Sequence, residues 1–192
     1  MNWRSGEPVV LQTERFSVCS LGPEDVTGRY QDWTADPEVM TPVNRPAQRR
    51  SREELVRYVS GFDNVRSFHL GIFERETDEF LGIFSVYFDP HNLLAETNVL
   101  IGEKEWWGRG VVVETRAAVL DFLFDQVGAL KVLGRPFTRN LSAVATYHAQ
   151  GFRCEATLRS QVKAVDGSRL DQYYFAMLRD EWHARRAGEA TT

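Results

Sequence analysis

The chain's 192 residues, 43% of them apolar and 26% charged, suit one globular domain with a sizeable core. A formal net charge of -4 argues against a dedicated nucleic-acid binder. The first residues offer no secretory apolar region and no apolar run approaches a membrane span, so a cytoplasmic protein without a membrane partner is expected. Cys19 and Cys154 lie far apart, outside any C-x-x-C pair, which fits reduced thiols and leaves no metal ligand set.

Residues 1–14 read as a lead-in, and residues 15–21 alternate polar and apolar as a half-buried strand does. Gly22-Pro23-Glu24-Asp25 turns the chain into a helix that runs to about Trp33 and is broken by Asp36-Pro37. After an irregular stretch through Arg45-Pro46, Ser51 and Glu54 have capping-box spacing and open a helix to about Phe62. Strands are expected at 67–74, 80–88 and 95–102, then a largely buried helix at 111–127 closed by Gly128. A strand at 131–138, a helix at 141–150 and a hairpin of 152–165 with 170–178 about Asp166-Gly167 complete the chain. The domain then spans 1–182, and 183–192 reads as a disordered tail. Helices interleave with hairpin-connected strands, which predicts a mixed α/β (α+β) domain: a twisted, mostly antiparallel sheet flanked by helices.

Gly108 and Gly110 flank Arg109 where a strand gives way to a helix. Glycine permits positive φ and close backbone approach, and the helix start adds unsatisfied N–H groups and a positive dipole end. Together these suit a pyrophosphate, although a plain strand-to-helix turn accounts for the two glycines equally well. The sequence lacks a G-x-x-x-x-G-K-[ST] loop, and Val113 occupies the third glycine position of G-x-G-x-x-G, which excludes a P-loop and weakens a dinucleotide site.

Trp107-Gly108-Arg109-Gly110-Val111-Val112 resembles the (Gln/Arg)-x-x-Gly-x-(Gly/Ala) loop of the GNAT superfamily of N-acetyltransferases, most closely its RimJ/RimL-like branch. Trp107 replaces the first residue and Val112 is bulkier than the family's last. A second block, Asn140 followed by Tyr147 and by Gly151-Phe152, resembles the family pattern Asn-x-x-Ser-x-x-x-Tyr-x-x-x-Gly-Phe, with Ala143 in place of Ser. The resemblance implies a single GNAT-like domain and acetyl-CoA as cofactor. It places the pyrophosphate on Trp107, Gly108, Arg109, Gly110, Val111 and Val112, the pantetheine arm on Asn140, and the acetyl carbonyl on the backbone of Val99, Leu100 and Ile101. Tyr147 falls near the sulfur, as acid.

Transfer of an acyl group from a thioester needs a neutral amine, a stabilised oxyanion and a departing thiolate, with no covalent intermediate. No G-x-S-x-G elbow is present. Glu96, eleven residues before Trp107, stands where several family members carry a catalytic glutamate, so Glu96 or a water is the expected base; the alternative is a solvated strand-edge carboxylate. Arg109 is expected in the phosphate loop, and Arg116, Arg135 and Arg139 are further phosphate candidates. Trp33, Tyr58, Phe62 and Tyr173 are expected to line the acceptor pocket. Cys154 reads as a core thiol and His148 as a surface residue; His69 and His91 receive no role. The acceptor implied by the resemblance is a small-molecule amine, such as a nucleotide-linked amino sugar, or a protein N-terminal amine. A non-catalytic acyl-CoA-binding module on the same fold is the competing class, and the resemblance leaves room for a homodimer.

Overall fold

The computed structural model describes residues 3–189. Its strands are β1 (Val10–Gln12), β2 (Phe16–Ser20), β3 (Ser67–Glu74), β4 (Phe80–Asp89), β5 (Leu94–Ile101), β6 (Lys131–Gly134), β7 (Arg153–Lys163) and β8 (Arg169–Leu178). They form one sheet in the order β1-β2-β3-β4-β5-β6-β8-β7. Every neighbouring pair is antiparallel except β5 and β6. The expected mixed, mostly antiparallel sheet is therefore present. Strand β1 lies inside the stretch expected as a lead-in; it pairs Val10 with Cys19, and the neighbouring Val9 is 1% exposed. Three residues are too short to show a strand's alternation.

Each face of the sheet carries helices because its residues alternate between two apolar sets. On one face, Phe68, Leu70, Phe84, Val86 and Phe175 pack with residues of α4 (Val111–Phe122), α5 (Leu141–Ala149) and α6 (Arg179–Glu189). The other face packs Ile83 and Leu100 against Tyr30 and Trp33 of α1 (Gly28–Ala35), Val39 of α2 (Pro37–Met40) and Leu55 of α3 (Arg52–Val59). The expected Ser51–Glu54 capping box starts α3: the Ser51 hydroxyl accepts from Glu54 N–H, and the Glu54 carboxylate accepts from Ser51 N–H. Helix α4 ends in a π-helical turn, Leu123–Val127, stopped by Gly128 at φ 84°.

Residues 183–189 belong to α6 instead of the expected frayed tail; residues 190–192 lie outside the described residues. Trp182, 3% exposed, anchors α6 by donating from Nε1 to Asp121 on α4 at 2.7 Å.

The feature that positions the site is a fork in the sheet. Strands β5 and β6 share a ladder only over Leu94–Glu96 and Lys131–Leu133. Beyond it β5 continues along β4 to Ile101, while the chain after β6 follows β8, where Tyr173 N–H donates to the Pro136 carbonyl at 3.0 Å. At the crotch the Thr97 hydroxyl donates to the Leu133 carbonyl at 3.3 Å.

Candidate active site

The fork opens into a cavity of about 800 Å³ that passes through the sheet between its two helical layers. Backbone polar groups on a strand point alternately to either side. The Leu93 carbonyl accepts from Leu130 on the β6 side, whereas Gly102 N–H donates to Leu81 on the β4 side. Odd-numbered residues of β5 therefore direct N–H and C=O toward β6. For Val99 and Ile101, beyond the ladder, that direction is the cleft; the Ile101 carbonyl accepts from Trp107 Nε1 at 2.9 Å. Leu100, expected with them, turns its backbone to β4 and its side chain to the α1–α3 layer, so its contribution to the cavity is an apolar wall.

The loop after β5 has the conformation its glycines allow. Gly108 and Gly110 have φ of 73° and 78°, where an L side chain is strained, and Gly110 is the N-cap of α4. No side chain caps this helix. Its first N–H groups and dipole therefore face outward from an exposed turn that includes Trp107 and Arg109. Val111 is buried beneath it and Val112 half-buried. The loop is riveted from behind: Glu114, in the first turn of α4, accepts from the Thr13 hydroxyl at 2.6 Å and Arg15 Nε at 2.7 Å, and Arg15 also donates to the Arg109 carbonyl at 3.1 Å.

Tyr147 projects from α5 to the cavity wall, 4% exposed. Its ring stacks on Phe175 at 5.1 Å and meets Phe152 edge-on at 5.0 Å. Gly134 is required opposite, since a Cβ there would fall on the Tyr147 hydroxyl. Arg116, expected as a phosphate ligand, is instead 1% exposed between α4 and α5, with its guanidinium carbon 4.2 Å from the Tyr147 ring centroid. It donates to Gln150 Oε1 at 3.0 Å and to the Thr146 hydroxyl at 3.4 Å, while its Nε has no partner. Burial presses its pKa below the ordinary value, and Tyr147 opposes that pull. Nothing in a helical run of Val, Ala and Leu signals that one arginine points inward.

Asn140 is the N-cap of α5: its Oδ1 accepts from Ala143 N–H at 3.1 Å, and its Nδ2 reaches across the cavity to the Pro42 carbonyl at 3.4 Å. Glu96 is half-buried, and Arg135 occupies both its oxygens, from Nε at 3.0 Å and Nη2 at 2.8 and 2.7 Å. Arg135, a phosphate candidate in the sequence, is thus the partner of Glu96, and it lines the cavity where Glu96 does not. Arg139 is exposed near Asp166.

The expected acceptor aromatics divide. Trp33 and Tyr58 line the cavity; Trp33 is 4% exposed and donates from Nε1 to Glu103 at 2.9 Å. Phe62 stands next door, against Tyr58 and His69, in a shallow pocket of its own. Tyr173 is on the wrong face: with Phe175 it packs toward α5, while its neighbour Gln172 lines the cavity. Cys154 is exposed at a bulge in β7 and not a core thiol.

A group unassigned in the sequence lies behind the acceptor wall. His69, 1% exposed, contacts the Tyr30 hydroxyl through Nε2 at 3.0 Å and the Ser85 hydroxyl through Nδ1 at 3.1 Å. Burial pushes its pKa down to about 4, so it is neutral at pH 7. Tyr30 and Ser85 both line the cavity. His69 pairs with Ser85, and Ser85 with Asn98, so a polar row crosses β3, β4 and β5 to the fork.

A glycine-capped helix start, an unpaired strand edge and a cavity through a forked sheet agree with the comparisons. A family model described as an acetyltransferase (GNAT) domain matches residues 15–153. The chain belongs to the GNAT acetyltransferase family. It is therefore an acyltransferase, and the acetyltransferases of this family use acetyl-CoA. The probable N-acetyltransferase YjcK of Bacillus subtilis (strain 168) is 25% identical over 130 residues, covering 66% of this chain and 70% of that one. Two solved structures share the GNAT fold. The ribosomal-protein-S5-alanine acetyltransferase from Vibrio fischeri has a TM-score of 0.78 at 14% identity, covering 91% of this chain and 98% of its own. The spermidine N-acetyltransferase from Vibrio cholerae, in complex with CoA and spermine, has a TM-score of 0.78 at 16% identity, covering 88% and 98%. Among the described residues no helix is long and apolar enough to cross a membrane.

Proposed function

We propose that this GNAT protein transfers the acetyl group of acetyl-CoA directly to an acceptor amine, in the manner of the RimJ/RimL-like branch. The observation that carries this reading is the β5 edge beyond its ladder with β6, where Val99 shares the cavity with the Tyr147 side chain and Ile101 is tied through Trp107 to the loop that starts α4. The residues present fit the cofactor. Positive-φ glycines and the first turn of α4 would hold its pyrophosphate, the open strand edge its extended arm, and the surface beside Asn140 the remainder. When bound, it supplies an activated acyl group as a thioester.

The chain's own groups then have distinct tasks. Val99 N–H faces the negative charge that builds on the carbonyl oxygen, as an oxyanion donor fixed by the β4–β5 ladder. Tyr147 offers its hydroxyl to the departing sulfur. Glu96 positions Arg135 at the cavity and is not the base, since three N–H donors occupy its oxygens. The amine's proton leaves through water in the open cavity, beside the Asn98–Ser85 row.

For the acceptor, Arg45, Arg50 and Arg57 line the α1–α3 side of the cavity together with Glu54. That balance favours an amine carrying an anionic group, such as a nucleotide-linked amino sugar, over a protein N-terminal amine or a polyamine. The test is CoA release, read as free thiol, against nucleotide-linked amino sugars, short peptides and polyamines. Acetyl-CoA binding with no amine-dependent release would favour a binding module instead.

A further inference from the structure

Among the described residues, Arg116 carries the buried side-chain nitrogen that has no hydrogen-bond partner. A guanidinium removed from water loses several kcal/mol of hydration, normally offset by a carboxylate and a full set of acceptors. Here it has two neutral acceptors, Gln150 and Thr146, an aromatic face, and an Nε with nothing to donate to. An apolar side chain of similar length would hold α4 against α5 without that deficit. From α5, Thr146, Tyr147 and Gln150 face it; Tyr147 is the titratable one, and among the described residues no carboxylate pairs with it. Glu114, on the same helix, is engaged by Thr13 and Arg15. Glu96 on β5 and Arg135, just after β6, neutralise each other. The charge of Arg116 is therefore uncompensated at the cavity wall that it shares with Tyr147.

We propose that Arg116 is a positioning charge for the leaving group: it stabilises the CoA thiolate formed beside Tyr147 as the acetyl group departs. The inference rests on the placement of the thioester at Tyr147 given above. In the step it serves, the amine nitrogen's electron pair forms the C–N bond, the C–S bond breaks, and its electron pair goes to sulfur. The amine's proton passes to water, and the thiolate takes a proton from Tyr147 or from solvent. Arg116 exchanges no atom and no proton; it offsets the charge while that charge exists. The cation–π contact fixes its distance from Tyr147, and Gln150 and Thr146 keep it from swinging toward solvent.

The test uses the full chain with CoA bound and follows thiol ionisation by the ultraviolet absorbance of the thiolate across a pH series. Bound to the wild type, the thiol is expected to ionise at least about one pH unit below free CoA, a tenfold shift. In Arg116→Met and Arg116→Gln that shift disappears, and in Arg116→Lys part of it returns. Circular dichroism identifies any variant that fails to fold, and an unshifted wild-type thiol overturns the proposal without them. CoA that binds with an unshifted thiol overturns the role of Arg116 and leaves the acetyltransferase reading intact. CoA that does not bind at all overturns both.

Discussion

Arg135 holds Glu96 in a fork of three hydrogen bonds at 2.7 to 3.0 Å, so the carboxylate nearest the expected base position is already engaged. The proposed division of labour makes this pair a brace. Glu96→Gln and Arg135→Gln should each lower kcat/KM by roughly tenfold, the scale of a lost charge-assisted contact. The pH–rate profile of Glu96→Gln should keep the wild-type shape. Loss of its acidic limb would make Glu96 the base after all.

Gly110 and Gly128 start and stop one helical run, both at positive φ. Alanine at either site pays backbone strain of about 1 kcal/mol, so both variants should lose similar stability. Only Gly110→Ala should weaken CoA binding, because Gly110 is the N-cap of α4 and a Cβ there would press, at 3.3 Å, on the Arg15 side chain that holds the Arg109 carbonyl. Calorimetric titration with CoA separates the two. Equal affinities would place the pyrophosphate elsewhere.

Tyr147 and Gly134 are matched. Tyr147→Phe keeps the ring between Phe175 and Phe152 and removes the hydroxyl, so turnover should fall with CoA affinity nearly unchanged. Gly134→Ala should displace that ring at an overpacking cost of about 1–3 kcal/mol, and lower turnover as well. Steady-state thiol release together with thermal melts checks both. A normal rate in Tyr147→Phe removes the acid role.

His69 sets an acid limit on stability. Its folded pKa is depressed, to about 4 from an ordinary 6.5, so the folded state resists a proton that the unfolded chain accepts. Its neutral form contributes stability that is fully present above about pH 6.5 and is lost as pH falls toward 4. Denaturant melts across that window should show a decline that Asn at 69 flattens. A His69→Asn protein with the wild-type slope would assign the decline to other groups.

The fold was largely legible because its signals are local. Ser51 and Glu54 state a helix start, Asp166-Gly167 a hairpin, and Gly108 with Gly110 a backbone no other residue tolerates well. Residues whose meaning depends on which face they join were not legible. Tyr173 and Gln172 exchange places because a strand alternates, and the sequence does not say which face holds the cavity. Arg116 and His69 look like ordinary surface and strand residues until α5 and α1 cover them. Glu96 was located correctly on its strand, but the partner that occupies it, Arg135, comes from the segment just after β6, far along the chain.

That fork has a consequence for dynamics. Val99 and Ile101 sit in the middle of an eight-stranded sheet, yet their amides lack the strand-to-strand bond that protects such positions. They should exchange with deuterium like the edge of the sheet, while Phe84 and Val86 behind them exchange like its centre. A ligand lying along the gap would act as a missing strand and slow exchange at those two residues first. The protein thus leaves two amides without a strand partner near the middle of its sheet, where amide protection would report occupancy before any helix moved.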